Sequence, residues 1–92
     1  MSTTTPVSFE VDEEHIAEQV KDVQEKLAGL GSEVLLDFFF AQQLDTDGLK
    51  ALEELAVAAQ SAGVKVVLRG INVDVYKVLK LAGLDARFVF VD

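Results

Sequence analysis

The sequence predicts an α/β fold: one domain, with a mostly parallel sheet of about four strands covered by three or so helices. Three observations carry this reading. Along the 92 residues, short apolar runs alternate with amphipathic stretches in the order β-α-β-α-β-α-β. The connections are only a few residues long, so consecutive strands are joined through helices, which is the crossover pattern of a parallel sheet. A third observation is that half the residues are hydrophobic, enough for one core. A chain of this length buries only about 60–65% of its unfolded surface, so its stability margin is thin.

Each element has its own signal. Residues 1–6 are a polar lead, expected to be disordered. "VSFEV", residues 7–11, alternates apolar and polar as a half-buried strand does. Asp12 is a good N-cap for the stretch that follows, and Glu13 and Glu14 suit the positive end of a helix dipole. Ile16, Val20, Val23, Leu27 and Leu30 recur at helical spacing, with Gly29 and Gly31 as the stop. Residues 34–38 form an apolar run, read as a strand buried on both faces. Asp45 or Thr46 caps the second helix, whose apolar positions are Leu49, Leu52, Leu55, Ala56 and Ala59 and whose end is Gly63. Residues 64–69 give a third strand, Gly70 a turn, and Asn72 the cap of a helix ending at Gly83. "RFVFV", 87–91, is the last strand.

Charge and composition exclude several functions. Sixteen acids against eight bases leave a net charge of −8. Phosphate backbones and anionic membrane surfaces need clustered Lys and Arg, so neither is an expected partner. There is no cysteine, hence no disulfide or thiolate chemistry, and a cytoplasmic location is expected. The polar lead lacks the apolar core of a signal peptide, and no apolar run approaches the ~20 residues of a membrane helix.

In open parallel sheets, sites form in loops beyond the carboxyl ends of the strands. "AQQLDTDGL" is such a loop, between the second strand and the second helix. Asp45-Thr46-Asp47-Gly48 within it reads as a helix cap, or as a knob that offers a hydroxyl and carboxylates to a partner, with Gly48 allowing close approach of backbone. His15 is the only histidine and stands at the start of a different helix, so neither a zinc site nor a nucleophile–base pair is expected. Asp37 near a strand end has the position of a receiver-domain phosphoacceptor, but Lys65 begins its strand instead of ending it. Of Phe38, Phe39 and Phe40, at least one should face away from the core and leave an apolar contact patch.

Residues 34 to about 90 resemble the STAS domain, the fold of bacterial anti-sigma factor antagonists. The resemblance is carried by an apolar strand running into Asp37, the loop Asp45-Thr46-Asp47-Gly48-Leu49 where the family has Asp-Ser/Thr-x-Gly-Leu, and an Ala/Leu-rich helix closed by Gly63. A strand ending in Arg69-Gly70 and the helix end "VLKLAGL" complete it. It implies a STAS-like fold and a non-enzymatic regulatory module without cofactor. It also implies a protein partner, an anti-sigma factor kinase, bound through the loop and following helix. The family's phosphorylated serine falls on Asp47, with Thr46 adjacent; Asp47 cannot accept that phosphate and supplies a fixed charge of about one instead of nearly two. Asp45, Thr46, Asp47, Gly48, Leu49, Phe39 and Phe40 are therefore the expected partner-binding residues. The family's lipid-transport branch, a STAS subunit on an ABC transporter ATPase, is the alternative, and a chemotaxis-linked regulator a further one. The family's extra N-terminal strand is short or missing here, so an exposed sheet edge is expected, and with it a homodimer through that edge.

Overall fold

The computed structural model describes residues 7–29 and 32–91. The polar lead at 1–6, and Leu30 and Gly31 at the end of the first helix, lie outside the described residues. Strand β1 is Val7–Glu10, followed by a 3-10 turn at Glu13–His15, helix α1 (Ile16–Lys26) and a second 3-10 turn at Leu27–Gly29. Then come β2 (Glu33–Asp37), α2 (Thr46–Ala62), β3 (Lys65–Arg69), α3 (Val73–Leu81) and β4 (Val89–Val91). The first amphipathic stretch is thus one α-helix tightened at both ends, not a single uniform helix.

All four strands are parallel and lie in chain order, β1-β2-β3-β4. Right-handed crossovers that always step in the same direction put every helix on the same face of the sheet. The burial agrees. Val34, Leu36, Val66 and Leu68 from the sheet join Val20 and Val23 of α1, Leu52 and Leu55 of α2, and Val75 and Leu79 of α3 in one core. The register aligns Phe9, Leu36, Leu68 and Phe90 in a row on that face. Phe90 meets Tyr76 of α3 edge-on at 5.3 Å between ring centroids.

The expectation that residues 34–38 are buried on both faces is corrected by this layering. Val34 and Leu36 are buried, but Leu35 between them is half-buried. Side chains alternate across a strand, and the described helices all lie on the first face; on the second, Leu35 is half-buried while its neighbour Val67 on β3 is 6% exposed. Phe38 lies beyond β2 and is buried at 1% exposure. β1 is likewise more exposed than a half-buried strand: Val7 is 39% exposed, and among its residues only Phe9 is partly buried.

Helix ends follow local chemistry. Asp45, extended at φ −83°, accepts a hydrogen bond from the Gly48 amide and is the cap of α2. Asn72 does the same for α3 through the Val75 amide. Gly63 closes α2 at φ +72°, a left-handed conformation that glycine adopts without a Cβ penalty.

Candidate functional site

Three helix beginnings meet at the carboxyl end of the sheet. One is the Glu13–His15 turn after β1; the second is α2 after β2; the third is α3 after β3. The segment 38–45 runs between them and carries the motif. It starts as a turn in which Asp37 Oδ1 accepts from the Phe39 amide at 2.9 Å and the Phe38 carbonyl accepts from the Ala41 amide at 2.9 Å.

The middle of this segment is held from both sides. Glu13 Oε1 accepts from the Gln42 amide at 2.9 Å and from the Gln43 amide at 3.1 Å. Asn72 Nδ2 donates to the Gln42 carbonyl at 2.9 Å, while the Asn72 Oδ1 caps α3. A carboxylate accepting two amides makes charge-assisted bonds, stronger than neutral ones. Asp45 Oδ1 then accepts from Gly48 at 2.7 Å and starts α2. The loop is therefore tied to two neighbouring helix starts and capped into its own helix.

What it presents is polar. Thr46 and Asp47 are exposed in the first turn of α2. Asp47, Lys50, Glu54 and Val57 follow at helical spacing along an exposed stripe of the same helix, and Val57 is 61% exposed. Beside the stripe, an open groove of about 450 Å³ runs between α1 and α2, walled by Glu18 and Lys21 on one side and Asp47, Lys50 and Glu54 on the other. Gly48 is buried; a Cβ there would stand 2.9 Å from Asp45 Oδ1 and 3.0 Å from side-chain carbons of Ile16 and Leu44. It brings α2 close to α1. Leu49 is partly buried against the core. Phe39 and Phe40 are 69% and 62% exposed and stack edge-on at 5.3 Å. Phe39 lies over Gly70, and Phe40 stands by Glu10, Asp12 and Gln19 beyond β1.

The structure thus gathers Asp45, Thr46, Asp47 and the two phenylalanines at one end of the molecule, and puts Gly48 and Leu49 beneath that surface. Sequence reading missed the roles of Glu13 and Asn72 as loop clamps. Their partners are about thirty residues away, so local spacing carries no trace of them. His15 pairs with Asp12 at 3.2 Å on the surface. Among the described residues, no three His, Asp or Glu side chains are grouped to hold a metal ion.

This arrangement, a capped and clamped loop at the carboxyl end of an all-parallel sheet, can be set beside known proteins. The STAS domain matches residues 4–92. The chain belongs to the STAS domain family. Among solved structures, a crystal structure assigned as an anti-sigma factor antagonist of Thermotoga maritima superposes with a TM-score of 0.71 at 22% identity, covering 96% of this chain and 75% of that one. The NMR structure of the same Thermotoga protein gives 0.76 at 20%, covering 99% and 78%. A sulfate transporter family protein of Wolinella succinogenes gives 0.78 at 20%, covering 96% and 80%. At these identities the likeness is one of fold. No curated protein matches the chain. STAS domains are generally non-enzymatic regulatory modules that bind protein partners. No helix among the described residues is long and apolar enough to cross a membrane.

Proposed function

We propose that this STAS domain is a non-enzymatic, anti-sigma factor antagonist-like module of the bacterial cytoplasm. It docks the 46–49 loop and the exposed stripe of α2 onto an anti-sigma factor of kinase type. The observation that supports this most is the pre-set loop: Glu13 and Asn72 hold the backbone of Gln42 and Gln43 in place, so presenting Thr46 and Asp47 costs less backbone ordering on binding. Asp47 holds the position of the family's phosphoserine. Its single permanent charge at a helix N-terminus is favourable to the helix dipole and leaves the surface in one charge state. Phosphate added at Thr46 would meet Asp45 and Asp47 on either side, a like-charge arrangement that disfavours the modified form.

A second reading is an accessory subunit of an ABC transporter ATPase. The threonine directly after Asp45 favours it, and the transporter-family neighbour has the same fold. Both readings use the same surface and differ in the partner. Purification of the wild-type chain and of Thr46→Glu from the same lysate separates them. The first reading predicts that a kinase-fold protein accompanies the wild type and is lost with the variant. An ATPase in its place supports the second. Binding that ignores residue 46 returns the loop to a helix cap and nothing more.

A further inference from the structure

The face of the sheet turned away from the helices carries a charge pattern that is complementary to itself. Its centre is apolar: the register aligns Ser8, Leu35, Val67 and Val89 in one row. Val67 is 6% exposed but lies outside the core on the helix side. Above and below this row the charges separate by strand. β2 carries Glu33 and Asp37; β3 carries Lys65 and Arg69, directly beside them at register positions Glu33–Lys65 and Asp37–Arg69. Among the described residues, the ion pairs within 4 Å are His15–Asp12 and Lys26–Asp22, and none of these four charges pairs with another described residue.

We propose that this face is the interface of a weak homodimer, with a two-fold axis parallel to the strands and passing between β2 and β3. That axis lays the β2 of each copy over the β3 of the other. Glu33 then faces Lys65 of the second copy, Asp37 faces Arg69, and Leu35 covers Val67. The axis at right angles, across the strands, would lay β2 on β2 and set Glu33 against Asp37, with Lys65 against Arg69. Like charges across an interface oppose association, so the pattern selects the first arrangement. A self-complementary patch of this kind is what a two-fold interface requires. Two sheets packed this way cross at about 30° because each is twisted. Both loops that carry Thr46 and Asp47 then lie at the same end of the dimer, and the helices stay outside. The interface is the sheet face, not the β1 edge.

The size sets the strength. Four strands about 4.8 Å apart and about five residues long present roughly 300 Å² of projected face. That is well under the ~800 Å² per partner of a stable complex, so the dimer is concentration-dependent. Sedimentation velocity from micromolar to millimolar chain, at about 0.15 M salt so that the net charge of −8 on each copy is screened, tests it with Glu33→Lys and Lys65→Glu, two exposed or half-exposed sites that leave the core intact. Each variant alone sets like charges across the axis and shifts the monomer–dimer midpoint at least about tenfold to higher concentration. An equal mixture of the two restores the wild-type midpoint, because Lys at 33 then faces Glu at 65. A wild-type chain that stays monomeric at millimolar concentration overturns the proposal. So does a dimer indifferent to both variants, which would be using the β1 edge, or a mixture that fails to rescue.

Discussion

Glu13 shows how one side chain can decide a site. Its carboxylate takes the amides of Gln42 and Gln43, two donors that a loop at this position would otherwise leave to water. Hydrogen bonds to a charged acceptor contribute about 1.5–3 kcal/mol when sheltered, and these are at the surface, so a loss of about 1 kcal/mol is the scale to expect from Glu13→Ala. Glu13→Gln keeps an acceptor oxygen and should lose less. Urea unfolding of both variants checks the order; equal stability of wild type and Glu13→Ala would mean the clamp contributes nothing. The same residue marks the limit of sequence reading at this scale. Glu13 was legible as an acid favourable to a helix dipole, and Asn72 as a cap. Their second roles depend on the sheet bringing residues 13, 42 and 72 together, and nothing in local spacing encodes that. The cap of α2 was legible to within one residue, Asp45 or Thr46, because a cap acts on an amide three residues away; the structure makes it Asp45.

At the scale of elements, the order of strands and helices could be read directly, since periodicity and glycine stops are local. The mixed burial of β2 could not. A run such as Val34-Leu35-Leu36 has the composition of a strand covered on both sides. Whether helices cover the second side depends on strand order, and an all-parallel sheet in chain order puts every crossover helix on the first. The turn after β3 illustrates how elements are held in register. Gly70 sits at φ +73°, and a Cβ there would come within 3.0 Å of the Phe39 backbone. Both facts demand glycine: a side chain is strained by the left-handed backbone, by about 1–2 kcal/mol, and collides with main chain that has no rotamer to yield. Gly70→Ala should therefore lower the melting temperature by several degrees and disturb the Phe39–Phe40 pair. An unchanged melting temperature and unshifted NMR signals of these two rings would contradict the close approach.

On the scale of the whole molecule, the sheet and helices share one core on one side, so its central residues carry much of the stability. Leu68 is 0% exposed and lies in the middle of it. Leu68→Ala should cost about 2–5 kcal/mol, a large part of the total ~5–15 kcal/mol of a domain. Leu81 is 90% exposed at the end of α3, and Leu81→Ala should stay within about 0.5 kcal/mol of wild type. Thermal melts of the pair check the one-core description; similar losses from both would refute it. The net charge of −8 acts at this scale too, since it favours encounter with a basic partner surface and makes association fall with salt.

On the proposed function, Asp47, exposed on a clamped loop, is the residue that a kinase-type anti-sigma partner reads. Calorimetric titration of a kinase-fold anti-sigma factor with wild type, Asp47→Lys and Leu81→Ala is the deciding measurement. Leu81→Ala should bind with wild-type affinity, and Asp47→Lys should lose at least about tenfold, roughly 1.4 kcal/mol. Equal affinity for all three chains would contradict it and move the partner surface away from the loop.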